Sequence, residues 1–185
     1  MDFANAYTPA FFARGMNRRR SVTTVMVESA GLPLRRLEDL RRGEAVYRDF
    51  TNLLLREQGV EVELLAPEEG GLRLGGLARR SDLLVYEHFQ TDVAGHRGTL
   101  EDAHRVLGEL NRFVGSALKA LDPERDGFIL SSDHGNIEDM SHSAHTAHPV
   151  PILLGGRAAR DWPAGEEGLT LCAITPGILS LLGDG

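Results

Sequence analysis

Between residues 82 and 131 the chain places one long amphipathic helix pattern between two apolar runs. Asp82-Leu83-Leu84-Val85-Tyr86-Glu87-His88-Phe89 is almost continuously apolar at its centre, as a strand covered on both faces is. Thr99 then opens a helix, with Asp102 three residues on as its capping-box partner. Leu100, Ala103, Val106, Leu107, Leu110, Phe113, Val114, Ala117, Leu118 and Leu121 recur at helical spacing, a run of about six turns. Asp122-Pro123 ends it, and Gly127-Phe128-Ile129-Leu130-Ser131 reads as a second buried strand. Strand, crossover helix and strand make a βαβ unit, so these two strands are expected to lie parallel. The expected class is α/β, a mostly parallel sheet sandwiched by helices. Val150-Pro151-Ile152-Leu153-Leu154 reads as a third strand. Residues 132–149 have no helix pattern for a crossover, so this strand is expected to run antiparallel.

The rest of the chain punctuates more weakly. Residues 9–31 read as helical, stopped by Gly31-Leu32-Pro33. Residues 44–58 carry apolar positions at helical spacing, with Gly59 as C-cap. Val60-Glu61-Val62-Glu63-Leu64 alternates like an exposed strand, and residues 67–80 read as a helix weakened by four glycines. Near the end, Thr175-Pro176 caps a short helix through Leu182, with proline in its first turn.

Composition removes several classes of function. At 185 residues the chain has room for one domain, and 42% apolar with 25% charged residues excludes a disordered tail or a fibre. No apolar run approaches the roughly 20 residues of a membrane span. The first residues lack the basic-then-apolar pattern of a secretory signal. Cys172 is the single cysteine, so no internal disulfide forms, and a cytoplasmic location is expected. A net charge of −7 argues against a nucleic-acid or membrane-surface partner. Arg18-Arg19-Arg20 is read as a solvated helix face.

All seven histidines fall between residues 88 and 148. Three segments in that stretch hold groups suited to a cation. Asp92 and His96 stand four apart just past the first strand, with Gly95 and Gly98 to turn the backbone. Asp133 and His134 follow the second strand, with Gly135 to turn sharply and Asn136, Glu138 and Asp139 as acceptors that fix an imidazole. His142, His145 and His148 follow at spacing three. Carboxylate with neutral imidazole suits zinc, manganese or iron. Each segment alone also reads as a polar capping loop, an Asx turn or a surface histidine cluster. Ligand sites of such sheets gather at the carboxyl ends of strands, which is where the first two segments lie.

The order Asp-x-x-x-Gly-His, Asp-His-Gly-Asn and His-Thr-x-x-Pro-Val-Pro resembles the metalloenzyme domain of the alkaline phosphatase superfamily, in the branch of cofactor-independent phosphoglycerate mutase and phosphopentomutase. Asp92 and His96 match the first motif, Asp133-His134-Gly135-Asn136 the second, and His145-Thr146-Ala147-His148-Pro149-Val150-Pro151 the third, with His148 where asparagine is usual. Ile174 to Gly183 resembles the superfamily's closing helix. The resemblance is firm over residues 82–183. Residues 1–185 are then one metalloenzyme-like domain, with 8–80 as a helical flank or small cap.

The resemblance implies two divalent metals, manganese or zinc. Asp92, His96 and His145 would hold one, and Asp133 and His134 half of the other. It implies a metal-dependent phosphatase or phosphomutase (a hydrolase or an isomerase) acting on a small phosphorylated substrate. It also implies an aspartate in an N-terminal Asp-Gly turn and a Ser or Thr nucleophile. Asp-Gly occurs here only at Asp126-Gly127 and Asp184-Gly185, in other contexts. Ser21, Thr23 and Thr24 do not stand at a strand-to-helix elbow and are read as structural. The chain is therefore expected to be N-terminally truncated within the family fold, starting near Phe3-Ala4-Asn5-Ala6-Tyr7, and to be catalytically impaired. No catalytic residue is assigned. Self-association or a complementing N-terminal chain is the expected partner, and a non-catalytic metal-binding or partner-binding remnant is the competing reading.

Overall fold

A computed structural model describes residues 1–13, 20–163 and 170–183. Arg18, Arg19 and Asp184-Gly185, named above, lie outside the described residues. The first elements are β1 (Asp2–Phe3), β2 (Ala6–Tyr7), α1 (Pro9–Ala13), α2 (Val22–Ser29), β3 (Arg35–Arg36), α3 (Leu37–Arg41), α4 (Leu53–Glu57), α5 (Pro67–Ala78) and β4 (Leu84–Val85). They are followed by α6 (Gln90–Arg97), α7 (Leu100–Lys119), β5 (Gly127–Ser131), β6 (Ile152–Gly156), α8 (Arg157–Asp161) and α9 (Leu171–Gly183). The chain divides into two compact units, Met1–Gln90 with Arg105–Ala120, and Thr91–His104 with Leu121–Gly185. No helix of the described residues is long and apolar enough to cross a membrane.

The first unit is organised by the extended segment Asp2 to Tyr7. β1 pairs with β4 in parallel, Asp2 opposite Leu84 and Phe3 opposite Val85. β2 pairs with β3, also in parallel. Between them Ala6 N–H donates to Val46 O at 3.0 Å and Val46 N–H to Ala4 O at 2.9 Å. Buried Asn5 acts like a piece of backbone: its Nδ2 donates to Glu87 O at 2.7 Å and its Oδ1 accepts from Glu87 N at 2.8 Å. Around this segment Leu37, Leu40, Tyr47, Leu55 and Val62 form one buried cluster, and Val46, Phe50, Leu77 and Phe113 another.

Two expectations for this unit change. A helix over 44–58 is replaced by the short α4, because Val46 is drawn into the ladder with Asn5. The Asp49 carboxylate then accepts the N–H groups of Asn52 and Leu54 at 3.2 and 2.9 Å, starting the helix late. The segment 60–64 is not a strand, since side chains rather than a neighbouring strand take its carbonyls. Asn52 Nδ2 donates to Glu63 O and Arg56 Nη1 to Val62 O. The glycines of α5 serve close packing. A Cβ at Gly71 would collide with Phe113 O, and one at Gly75 would lie 2.8 Å from Ala117 O.

The second unit holds β5 and β6, an antiparallel pair running from Gly127–Gly156 to Ser131–Ile152, as the missing crossover implied. α9 starts earlier than expected and carries Pro176 inside it rather than in its first turn. The overall class is α/β, with short parallel and antiparallel pairs among helices. A single mostly parallel sheet is not what pairs. The described strands form three two-stranded sheets, with β4 joined to β1 and β5 to β6, so the two βαβ strands are not hydrogen-bonded neighbours. The Asn5 side chain occupies the groups of Glu87 with which a longer β4 ladder would continue.

Candidate metal centre

Asp92 and His96 lie on α6, not on a loop. Asp92 stands in the first turn, where the helix dipole favours a carboxylate, and His96 stands in the last. Their spacing of four puts both on one face, and Asp92 Oδ1 lies 3.2 Å from His96 Nε2. Gly95, between them, does not turn the chain. It gives room to buried Asn136, whose amide a Cβ at 95 would strike.

His134 and His145 come from the segments after β5. Their rings stack at 3.6 Å between centroids, 19° from parallel. His145 Nε2 is 3.5 Å from Asp92 Oδ1 and 3.0 Å from His96 Nε2, and His134 Nε2 is 3.9 Å from Asp92 Oδ1. Ligand atoms of Asp92, His134 and His145 all lie within 4.8 Å of one another. The triangle of Asp92, His96 and His145 has shorter edges, close to the ~3.3 Å between neighbouring ligands of a four-coordinate ion with bonds near 2.0 Å.

Hydrogen bonds fix how these rings present themselves. His96 Nδ1 lies 2.6 Å from Ser143 O, and His134 Nδ1 3.3 Å from Gly135 O. A carbonyl only accepts, so each Nδ1 is the donor, which turns each Nε2 towards Asp92. Asp92 Oδ1 is buried and accepts no hydrogen bond. A buried carboxylate oxygen left without a hydrogen bond among imidazole nitrogens is compensated when a cation lies between them. The donor set therefore fits a divalent metal, which the family identified below implies.

Asp133 stays beside His134, and the remaining histidines of the third segment pair outside this cluster. Asp133 Oδ1 is 3.5 Å from His134 Nε2, with its side chain 87% exposed. His142 is exposed, 3.9 Å from Asp139. His148 Nδ1 lies 3.4 Å from Glu138 Oε1. Glu138 and Asp139 face His148 and His142 rather than the imidazole of His134, whose Nδ1 lies against Gly135 O. The Thr146 hydroxyl bonds Glu138 and holds its carboxyl below the usual range, and Ser141 does the same for Asp139. His88 belongs to the first unit, and His104 is exposed on α7. Sequence reasoning missed Ser143, whose backbone carbonyl fixes His96; a carbonyl leaves no mark in the residue type.

Residues 77–183 match the Metalloenzyme superfamily. The chain belongs to that superfamily, in agreement with its motif order. Among its relatives is a 2,3-bisphosphoglycerate-independent phosphoglycerate mutase of Cereibacter sphaeroides ATCC 17025, 33% identical over 129 residues, 65% of this chain and 25% of that protein. The enzyme of the same description from Pseudomonas fluorescens Pf0-1 is 34% identical over 112 residues, covering 57% of this chain and 22% of its own length. The chain thus spans about a quarter of the length of these relatives. No solved structure matches it.

Proposed function

We propose that this chain is a metal-dependent phosphate-ester hydrolase or phosphomutase-like protein with an alkaline-phosphatase-like fold. Asp92, His96 and His145 hold one divalent ion, and Asp133 and His134 supply half of a second site. The observation that carries the reading is the buried, unbonded Oδ1 of Asp92 with the Nε2 atoms of His96, His145 and His134 at 3.2, 3.5 and 3.9 Å. An imidazole-rich set suits manganese or zinc better than magnesium. Such an ion, when bound, neutralises phosphate charge and activates a coordinated oxygen. The chain's own part is to fix the imidazole tautomers through Ser143 and Gly135 and to keep Asp92 Oδ1 from water. The phosphoglycerate mutase relatives support a small phosphorylated substrate.

Turnover by this polypeptide is impaired in the same proposal. The hydroxyls considered for a nucleophile are engaged in the first unit. Ser21 caps α2 through Thr24 N at 3.2 Å, Thr23 donates to Glu87 at 2.5 Å, and Thr24 pairs with the Tyr7 hydroxyl at 3.2 Å. Elemental analysis of protein purified without chelator tests the reading. About one divalent ion per chain is expected, lost in His145→Ala. Metal content unchanged by His145→Ala would sink it. Bound metal with no ester hydrolysis in excess manganese would select the non-catalytic alternative.

A further inference from the structure

Two of the centre's three histidines come from segments that follow β5, the turn Asp133-His134-Gly135-Asn136 and the stretch His145-Thr146. We propose that Glu138 is the positioning residue of this centre, its carboxylate clamping the two segments so that His134 and His145 are both held beside Asp92. The inference rests on the metal reading above. Glu138 Oε2 accepts the backbone N–H of Asn136 at 2.7 Å. Oε1 accepts the Thr146 hydroxyl in a short hydrogen bond. His148 Nδ1, 3.4 Å away, adds a third partner on the same oxygen.

The backbone completes the clamp. Thr146 N–H donates to Gly135 O at 2.9 Å, forming an isolated antiparallel bridge. A Cβ at Gly135 would collide with both the Thr146 hydroxyl and the Glu138 carboxylate. Each anchored position is within two residues of a histidine: Asn136 of His134, and Thr146 of His145. Glu138 reaches the site through those neighbours, so it positions ligands without being one. Groups that orient metal ligands are worth about 10- to 100-fold in metal affinity.

The test is zinc affinity of the full chain by competition with a chromophoric chelator, with the visible spectrum of the cobalt-loaded protein as a readout of ligand geometry. Glu138→Gln leaves an oxygen for one donor and turns an amide towards the other. It is expected to weaken zinc binding about 10- to 100-fold and to alter the cobalt spectrum. Thr146→Val should do the same, while Thr146→Ser, which keeps the hydroxyl, should match the parent protein in both. Zinc affinity and cobalt spectra of Glu138→Gln and Thr146→Val indistinguishable from the parent would overturn the proposal, provided His145→Ala abolishes binding. If His145→Ala binds zinc normally too, the metal reading itself fails. Should Glu138→Gln not fold, the Thr146 pair decides, because it removes the same hydrogen bond with the carboxylate left in place.

Discussion

The first unit buries Phe3, Val27, Leu37, Leu40, Val46, Tyr47, Phe50, Leu55, Val62, Leu77, Val106 and Phe113, whereas the buried apolar side chains of the second, among the described residues, are Ala94, Ala103 and Ala158. Burying a large apolar side chain contributes about 1.5–3 kcal/mol, and an alanine methyl only about 0.8. The first unit is therefore held by its core. The second relies on directional bonds: the α7 cap, the Gly135–Thr146 bridge and the Glu138 clamp. Even its strand pair is half-buried at Phe128, Ile129 and Leu130. Chemistry gathers in the unit with the smaller core, since the side chains that make a cation site are the ones a core excludes. Local opening should be easier there, and a ligand that binds it contributes proportionately more.

The largest expected effect is in the first unit. Phe113 is 3% exposed and stacks on Phe50 at 4.3 Å between centroids, with Tyr86 at 5.4 Å. Phe113→Ala should cost about 3–5 kcal/mol in urea unfolding. A loss below about 1 kcal/mol would mean that the aromatic cluster does not carry the unit, and the contrast with the second unit would break.

The sequence showed most clearly those features whose causes are local. α7 was legible because its apolar period and the Thr99–Asp102 box both lie within the helix. The antiparallel course of β6 followed from the absence of a crossover helix. The three imidazoles around Asp92 Oδ1 stand in recognisable motifs, although the sequence of α6 reads as a loop. Only Ala94 and Gly95 are buried on it, so the apolar period that marks a helix is missing. What was illegible is what distant residues impose. Val46 offered a helical period, but the backbone of Ala4 and Ala6 claimed its N–H and carbonyl. Glu61-Val62-Glu63 alternated like a strand, but Arg56 and Asn52 took its carbonyls. Gly71 and Gly75 read as helix weakeners because the backbone they approach lies some forty residues away.

The next effect sharpens the contrast through pH. His88 is packed against Phe50 at 5.1 Å in the first unit, and its Nδ1 lies 2.9 Å from Arg48 O. Burial pushes its imidazole down from 6.5 to about 4, with the Arg48 carbonyl opposing the shift. In that range the unfolded chain binds a proton that the folded protein does not. The stability is therefore fully present above pH 6.5 and is lost as pH falls towards 4. The loss amounts to about 3 kcal/mol. His88→Gln should flatten the pH dependence of unfolding by that amount. A parallel pair of stability curves for parent and variant would show that His88 titrates normally in the folded state.

The smallest effect tests whether the second unit rests on its local bonds. Thr99 N–H and hydroxyl both donate to Asp102 Oδ2 at 2.9 Å, and Asp102 N–H returns to the Thr99 hydroxyl at 3.2 Å. Thr99→Ala removes the hydroxyl bonds and keeps the first. A cap of this kind is worth about 1 kcal/mol, a minor change in a unit with a large core and a larger fraction of one whose buried apolar groups are alanines. Hydrogen exchange resolved along the chain should therefore show faster exchange over Thr91–His104, with residues 20–90 unchanged. Equal acceleration in both regions would mean that the two units open together, and the difference in their cores would then have no separate consequence for stability.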